Sequence, residues 1–270
     1  MAKQYQEDPG TINFSKISTY LRCPLQYYFR YVMKIKTPPT APLTFGSAFH
    51  KAVEHNYRQK IDSKKDLKTK EVQDKFAADF EVGARDTIWQ PDEDKSKMLD
   101  LGVLCVSVYH DDAVAQRFDS RAISPQVQPS MVEEEFEVNF ENMAKPMKGT
   151  IDLVDQNIVI RDTKTTARTP GPDEAFKNFQ LTTYTLGYKI KTGKMPKGIA
   201  LDYVVKTKAP KVVTLKDQRS EEDIDALLNT IGKVEFAIEH ELWYPNPHNF
   251  MCGPKGCGNW EACQAGRKVK

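Results

Sequence analysis

Apolar residues recur at helical spacing from position 14 to 33, at Ile17, Tyr20, Leu21, Tyr28 and Val32, behind Asn13 and Ser15, either of which can cap a helix. Pro24 falls inside that stretch and predicts a kink or a division. Residues 36–42 form a proline-rich connector. Helical spacing resumes over 45–60, with His50 and Glu54 one turn apart on one face. Residues 64 to about 118 are charged and mostly helical in pattern, broken near Trp89-Gln90-Pro91-Asp92, and read as a helical insertion. From Val132 the period falls to two, which predicts strands over 132–140, 147–154 and 158–164. A helix over 175–190, a strand over 199–206 and an amphipathic helix over 220–239 follow, ahead of a tail rich in Pro, Gly and Cys.

This succession describes a mixed α/β core with helical additions, and 270 residues suffice for one sizeable core. No apolar run approaches the roughly 18 residues that cross a membrane, and the chain opens on polar sequence without a signal-peptide apolar region. The expectation is a cytoplasmic, non-secreted protein of a bacterial, archaeal or phage-infected cell. Lys and Arg total 39 against 37 Asp and Glu, so the net charge of +2 supplies no global field for nucleic acid, and any such surface must be local. Neither G-x-x-x-x-G-K-[ST] nor G-x-G-x-x-G occurs, which excludes a nucleotide-driven motor of those types.

The most informative stretch is Gly149-Thr150-Ile151-Asp152 followed by Ile158-Val159-Ile160-Arg161-Asp162-Thr163-Lys164. Strand alternation sets Asp162 and Lys164 on one face and Thr163 on the other. Whether Asp152 joins them depends on the loop. A three-residue loop at Asp155-Gln156-Asn157 would set Asp152 opposite Ile160, with Asp162 its same-face diagonal neighbour about 7–8 Å away. An even loop would split the pair, so the site predicts an odd loop or a bulge. Hard oxygen ligands favour Mg²⁺ or Mn²⁺, completed by water and phosphate. Asp-x-Lys alone is a short motif that chance often produces, and by itself it reads as an exposed hairpin end with a surface ion pair.

Gly46-Ser47-Ala48-Phe49-His50 stands at the start of a helix, and on a later helix Gln180 and Tyr184 lie one turn apart. In this order, G-x-x-x-H, G-x-x-D, D-x-K and Q-x-x-x-Y, the chain resembles the RecB-like branch of the PD-(D/E)XK nucleases. The resemblance implies a restriction-endonuclease-like core with a central mixed sheet flanked by helices. It implies His50, Asp152 and Asp162 as metal ligands, with the Thr163 carbonyl a further one. Lys164 would orient the attacking water and offset charge on the phosphate, and Gln180 and Tyr184 would position the lysine or the strand. Taken singly, His50 reads as an ordinary helix histidine and Tyr184 as a core residue. Glu54 and Glu133 to Glu135 match no motif and read as solvated faces.

Three of the five cysteines, Cys252, Cys257 and Cys263, stand within the last nineteen residues among turn-forming neighbours. Cys23, in a Cys-Pro pair, is the natural fourth. It resembles the Cys-Pro of iron–sulfur members of this nuclease group, among them AddB and the CRISPR-associated nucleases. Four thiolates hold a 4Fe–4S cluster or a tetrahedral Zn²⁺; spacing does not separate these, and the resemblance favours iron. The cluster would clasp the two chain ends. Cys105, between apolar neighbours, reads as a buried thiol outside the set.

The parts expected within one compact unit are thus 11–40, contributing Cys23; 41–130, a helical region with His50; 131–240, the nuclease core; and 241–270, the cysteine-rich segment. The resemblance implies a Mg²⁺- or Mn²⁺-dependent DNA exonuclease acting on single-stranded ends. Its partners would be helicase, recombination or CRISPR adaptation proteins. Two other classes remain open at this stage: an inactive nucleic-acid-binding module in such a complex, and a redox sensor whose cluster controls a partner. The sequence does not fix an oligomeric state.

Overall fold

The computed structural model describes residues 10–139 and 145–263. Contacts divide the chain into two compact units, one of Met1–Pro38, Phe136–Gly149 and Glu221–Lys270, the other of Pro39–Glu135 and Thr150–Ser220. Among the described residues no helix is long and apolar enough to cross a membrane.

A five-stranded mixed sheet has the order β1-β2-β3-β4-β5, from β1 (Pro129–Val138), β2 (Met147–Asp155), β3 (Val159–Thr166), β4 (Gly198–Val205) and β5 (Lys211–Asp217). β2/β3 and β4/β5 are antiparallel and β3/β4 parallel. The parallel pair needs a crossover. Two helices supply it, α7 (Glu174–Lys177) and α8 (Phe179–Thr192). The helix expected over 175–190 is therefore divided, because Asn178 leaves helical geometry and its side chain caps α8 by accepting from the Leu181 N–H. The expected strand end at Phe140 lies outside the described residues. The sequence pattern does not predict β5, an edge strand whose residues are mostly half-exposed, without the alternation of a strand with one buried face.

The larger unit also holds α3 (Ala41–Ser63), α4 (Thr69–Gly83), α5 (Lys95–His110) and the single turn α6 (Asp112–Ala115). α3 begins four residues before its apolar spacing does, with Pro42 in its first turn, where the missing N–H costs nothing. Phe45 and Phe49 of α3, Phe76 and Phe80 of α4 and Tyr109 of α5 form one buried cluster with Leu153 and Val204 of the sheet. Burial of each such side chain is worth about 1.5–3 kcal/mol. Helices α4 and α5 thus do not stand apart as an insertion; they make much of the core. Tyr57 and Tyr109 share a hydroxyl contact of 3.1 Å, and Tyr109 meets the Thr163 hydroxyl at 3.1 Å, so β3 is fixed from the face that carries the Thr163 side chain.

In the smaller unit, α1 (Phe14–Arg22) starts at Asn13, whose side chain accepts from the Lys16 N–H, and stops at Cys23. α2 (Pro24–Tyr27) and a π turn over Tyr28–Val32 continue it, so Pro24 divides the helix, as its ring requires. α9 (Glu221–Glu239) precedes the tail. Tyr20 donates to the Leu242 carbonyl at 2.9 Å, the Leu25 N–H to Tyr244 O at 3.0 Å, and Tyr27 stacks on Trp243. These bonds join the N-terminal helices to the C-terminal segment without any covalent link.

Candidate active site

The hairpin between β2 and β3 pairs Leu153 with Arg161 and Val154 with Ile160. Extending that register sets Asp152 directly opposite Asp162, on the face opposite Leu153. The expected three-residue loop is present but lies one position later, at Gln156-Asn157-Ile158. Ile158 takes a left-handed φ of 63°, and the Asp155 carboxylate accepts the N–H groups of Asn157 and Val159. This Asx-type turn moves the register by two residues, so the carboxylates face one another rather than lying diagonally.

Upstream, Gly149 makes room for the Phe136 ring; a Cβ there would stand 2.4 Å from the ring. That close approach accounts for glycine three residues before Asp152. Gly46 has no such constraint, since a Cβ would meet only Thr165 Oγ1 at 3.7 Å.

A continuous chain of polar contacts joins the two carboxylates. Lys164 Nζ lies 2.7 Å from Asp162 Oδ2 and donates to Gln180 Oε1 at 2.7 Å. Gln180 Nε2 donates to the Tyr184 hydroxyl at 2.6 Å, and Tyr184 donates to Asp152 Oδ1 at 2.7 Å. Helical spacing gives Gln180 and Tyr184 a common face, and α8 lies against β3. Burial and the nearby Asp152 carboxylate push the Tyr184 hydroxyl far up, which keeps it a donor. α8 is itself anchored by the buried Arg219. Its guanidinium donates to the carbonyls of Ala175, Phe176 and Asn178 and to Thr182 Oγ1, and it pairs with Asp217.

On the other side of Asp152 stands His50, its Nδ1 3.8 Å from Asp152 Oδ2 and its Nε2 2.8 Å from Glu133 Oε1. One donor atom from each of His50, Glu133 and Asp152 lies within 4.8 Å of the others. The hydrogen bond to Glu133 raises the His50 pKa to about 9, against the opposing effect of burial and with help from Asp152. Burial, then repulsion from Asp162, raises that of Asp152.

Glu133 corrects the expectation that Glu133 to Glu135 are a solvated face. Its φ of 51° is a left-handed break in β1 that turns the carboxylate onto His50, leaving that side chain 19% exposed. Glu134 does pair with Lys191, and Glu135 is exposed. Among the described residues Glu54 pairs only with Arg58, one turn on at the surface. Thr163 turns its side chain to Tyr109, away from this group.

The donor set suits a hard divalent cation. Asp162 is 1% exposed, and its Oδ2 has no aligned hydrogen-bond donor although Lys164 Nζ is in ion-pair range. A buried carboxylate oxygen left in that state is costly unless a cation shares it.

The four cysteines Cys23, Cys252, Cys257 and Cys263 line one cavity of about 280 Å³ in the smaller unit, with Leu25, Phe29 and Trp260 adding apolar walls. All four are free thiols; the pKa values of Cys252 and Cys257 are raised, by burial first and with a contribution from the neighbouring thiols, against a backbone hydrogen bond at Asn259 that lowers that of Cys257. The tail is tightly turned here; a Cβ on Gly256 would stand 2.7 Å from the Met251 carbonyl oxygen. Gln26 Nε2 approaches Cys257 Sγ at 3.9 Å. Four converging thiols without disulfides fit a group held by thiolates. Cys105 is fully buried elsewhere, in the large aromatic cluster, and its thiol is pushed up to about 12 by burial.

The family model described as the PD-(D/E)XK nuclease superfamily matches residues 11–264. A solved structure from Eubacterium rectale, provisionally described as an exonuclease, superposes with a TM-score of 0.57 at 11% identity, covering 100% of this chain and 93% of that one. A second, of the protein SSO0001, gives a TM-score of 0.45 at 14% identity over 97% and 89% of the two chains, and nothing below rests on it. No curated protein sequence matches.

Proposed function

This chain belongs to the PD-(D/E)XK nuclease superfamily, and from that premise we propose that it is a metal-dependent DNA exonuclease, taking single-stranded DNA from an end. The observation that carries the reading is the polar chain Asp162–Lys164–Gln180–Tyr184–Asp152, which ends beside His50 and Glu133. His50, Asp152, Asp162 and Glu133 would hold Mg²⁺ or Mn²⁺, with the Thr163 carbonyl a further ligand. When bound, such an ion activates a water and stabilises charge on the scissile phosphate.

The chain's own groups do the rest. Lys164 carries a positive charge beside Asp162 and can donate to the attacking water or to a phosphate oxygen. Gln180 orients that ammonium through its carbonyl oxygen. Tyr184 fixes the rotamer of Asp152 by donating to one oxygen and leaving the other free for metal. Because Gln180 and Tyr184 are one turn apart on a helix pinned by Arg219, the lysine and the carboxylate are positioned by one rigid element.

The same reading assigns Cys23, Cys252, Cys257 and Cys263 to a 4Fe–4S cluster, with Zn²⁺ the alternative occupant. Residues 11–40 and 241–270 would carry it, 41–130 would supply His50, and 131–240 the nuclease core. Such a group would add covalent ties to a segment already held by hydrogen bonds.

The test is cleavage by Asp162→Ala and Lys164→Ala. Both variants are expected to lose cleavage while retaining the circular dichroism of the parent. Cleavage at the parent rate by either folded variant would overturn the assignment.

A further inference from the structure

A second cavity, of about 290 Å³, lies wholly within the larger unit and is lined by Arg121, Arg161, Lys216, Gln126 and Thr214 with aliphatic neighbours. Arg161 and Asp162 are consecutive on β3, so Arg161 projects from the opposite face of the sheet. This cavity is therefore separate from the group of Asp152 and Asp162.

Its cations are placed by the ladder. Arg161 pairs with Ala200, and Ala200 pairs with Lys216, so the two basic residues stand on one row across three strands with an alanine between them. Their backbones are about 10 Å apart, two strand spacings. Ala200 is too short to fill the gap. Arg121 approaches from the loop before β1.

The carboxylates nearby are already engaged. Arg161 Nε donates to Asp155 Oδ2 at 3.0 Å and its Nη1 to Asp202 Oδ2 at 2.6 Å. Asp155 Oδ1 accepts two backbone N–H groups and Asp202 Oδ1 accepts the Thr214 hydroxyl. Both carboxylates are buried, at 4% and 0% exposure. Three cations thus line one cavity, and the only two carboxylates against them among the described residues, Asp155 and Asp202, both pair with Arg161 and have their oxygens occupied. Among the described residues, Arg121 and Lys216 form no ion pair, and Arg161 Nη2 has no hydrogen-bond partner. Cations gathered around one cavity repel each other unless an anion joins them, and a guanidinium edge suits a tetrahedral oxyanion.

We propose that this cavity binds a phosphate group, through Arg121, Lys216 and the free edge of Arg161. The group is either free phosphate or the phosphate of a nucleotide or nucleic-acid strand. Arg161, held by two carboxylates, is the fixed member; Arg121 and Lys216, both exposed, close on the ligand. The site does not depend on the proposed cleavage reaction.

Isothermal titration of the full chain in EDTA, with inorganic phosphate, a 5′-mononucleotide and a short single-stranded oligonucleotide, tests this. At least one probe is expected to bind the parent, and the double variant Arg121→Ala/Lys216→Ala to weaken it about tenfold or more. With inorganic phosphate as the probe, the Asp162→Ala protein should bind like the parent, which separates this site from the candidate active site. Equal affinity for phosphate and mononucleotide identifies free phosphate as sufficient; tighter binding of the mononucleotide or oligonucleotide, lost in the double variant, identifies the nucleic-acid source. Failure of all three probes to bind the parent, or identical binding by parent and double variant, overturns the proposal.

Discussion

Tyr184 donates its hydroxyl proton to Asp152 Oδ1 at 2.7 Å and accepts the Gln180 amide at 2.6 Å. One phenol therefore connects the Asp152 carboxylate of β2 to Gln180, the partner of Lys164. Removing its oxygen by Tyr184→Phe leaves the ring in its packing and frees both neighbours. A hydrogen bond to a charged group is worth about 1.5–3 kcal/mol. The expected outcome is a kcat for DNA cleavage lower by about ten- to a hundredfold, with a Tm close to the parent's. An unchanged kcat would mean that the connection is structural only.

Glu133 should matter for metal rather than for folding. Glu133→Gln keeps the shape but removes the charge that His50 faces, and we expect the Mn²⁺ affinity to fall by about ten- to a hundredfold. Titration calorimetry on metal-free protein measures it. Glu135→Gln, two residues on and exposed, is the matched control and should bind as the parent does.

Metal uptake should release protons. In the metal-free protein His50 is held charged by its hydrogen bond to Glu133, with a pKa of about 9 against an ordinary value of 6.5. The raised value means that this proton stabilises the metal-free fold fully below pH 6.5 or so, and that the contribution is lost as pH rises through about 9. A cation needs the neutral imidazole, so its affinity should rise with pH up to about 9 and then level off. Calorimetry near pH 8 in buffers of different ionisation enthalpy should report net proton release; none released would show that His50 is not a ligand.

At the other end of the chain, the proposed cysteine site predicts that elemental analysis detects iron or zinc in the parent and none in Cys257→Ser, with loss of visible absorption where the metal is iron. It should cost roughly 3 kcal/mol or more in urea unfolding. Cys105→Ala, at a fully buried thiol outside the cavity, should lower stability but keep the metal content. Equal metal content in the Cys257→Ser protein would remove the ligand assignment.

What the sequence makes legible is the geometry that spacing alone sets. Asp162 and Lys164 share a face because strands alternate, and Gln180 and Tyr184 share one because helices repeat near four. Pro24 announced the division of the first helix. What spacing could not supply was register and backbone sign. The hairpin turned at Gln156-Asn157-Ile158 because Asp155 captured the loop amides and Ile158 accepted a left-handed φ, which bulky residues rarely do. Glu133 was hidden for the same reason: a left-handed residue inside β1 breaks the alternation on which its solvated assignment rested. Three consecutive glutamates in a strand, a place where Glu is disfavoured, were the available signal. The edge strand β5 and the clamp by Arg219 depend on tertiary partners and left no periodic trace.

The most direct test of the central claim is cleavage of end-labelled single-stranded and duplex DNA by the purified protein with Mn²⁺, Mg²⁺ or EDTA. Cleavage of single-stranded ends is expected with either ion, and none in EDTA. A protein with its cation bound that leaves both substrates intact, or one that cuts equally well in EDTA, would contradict it.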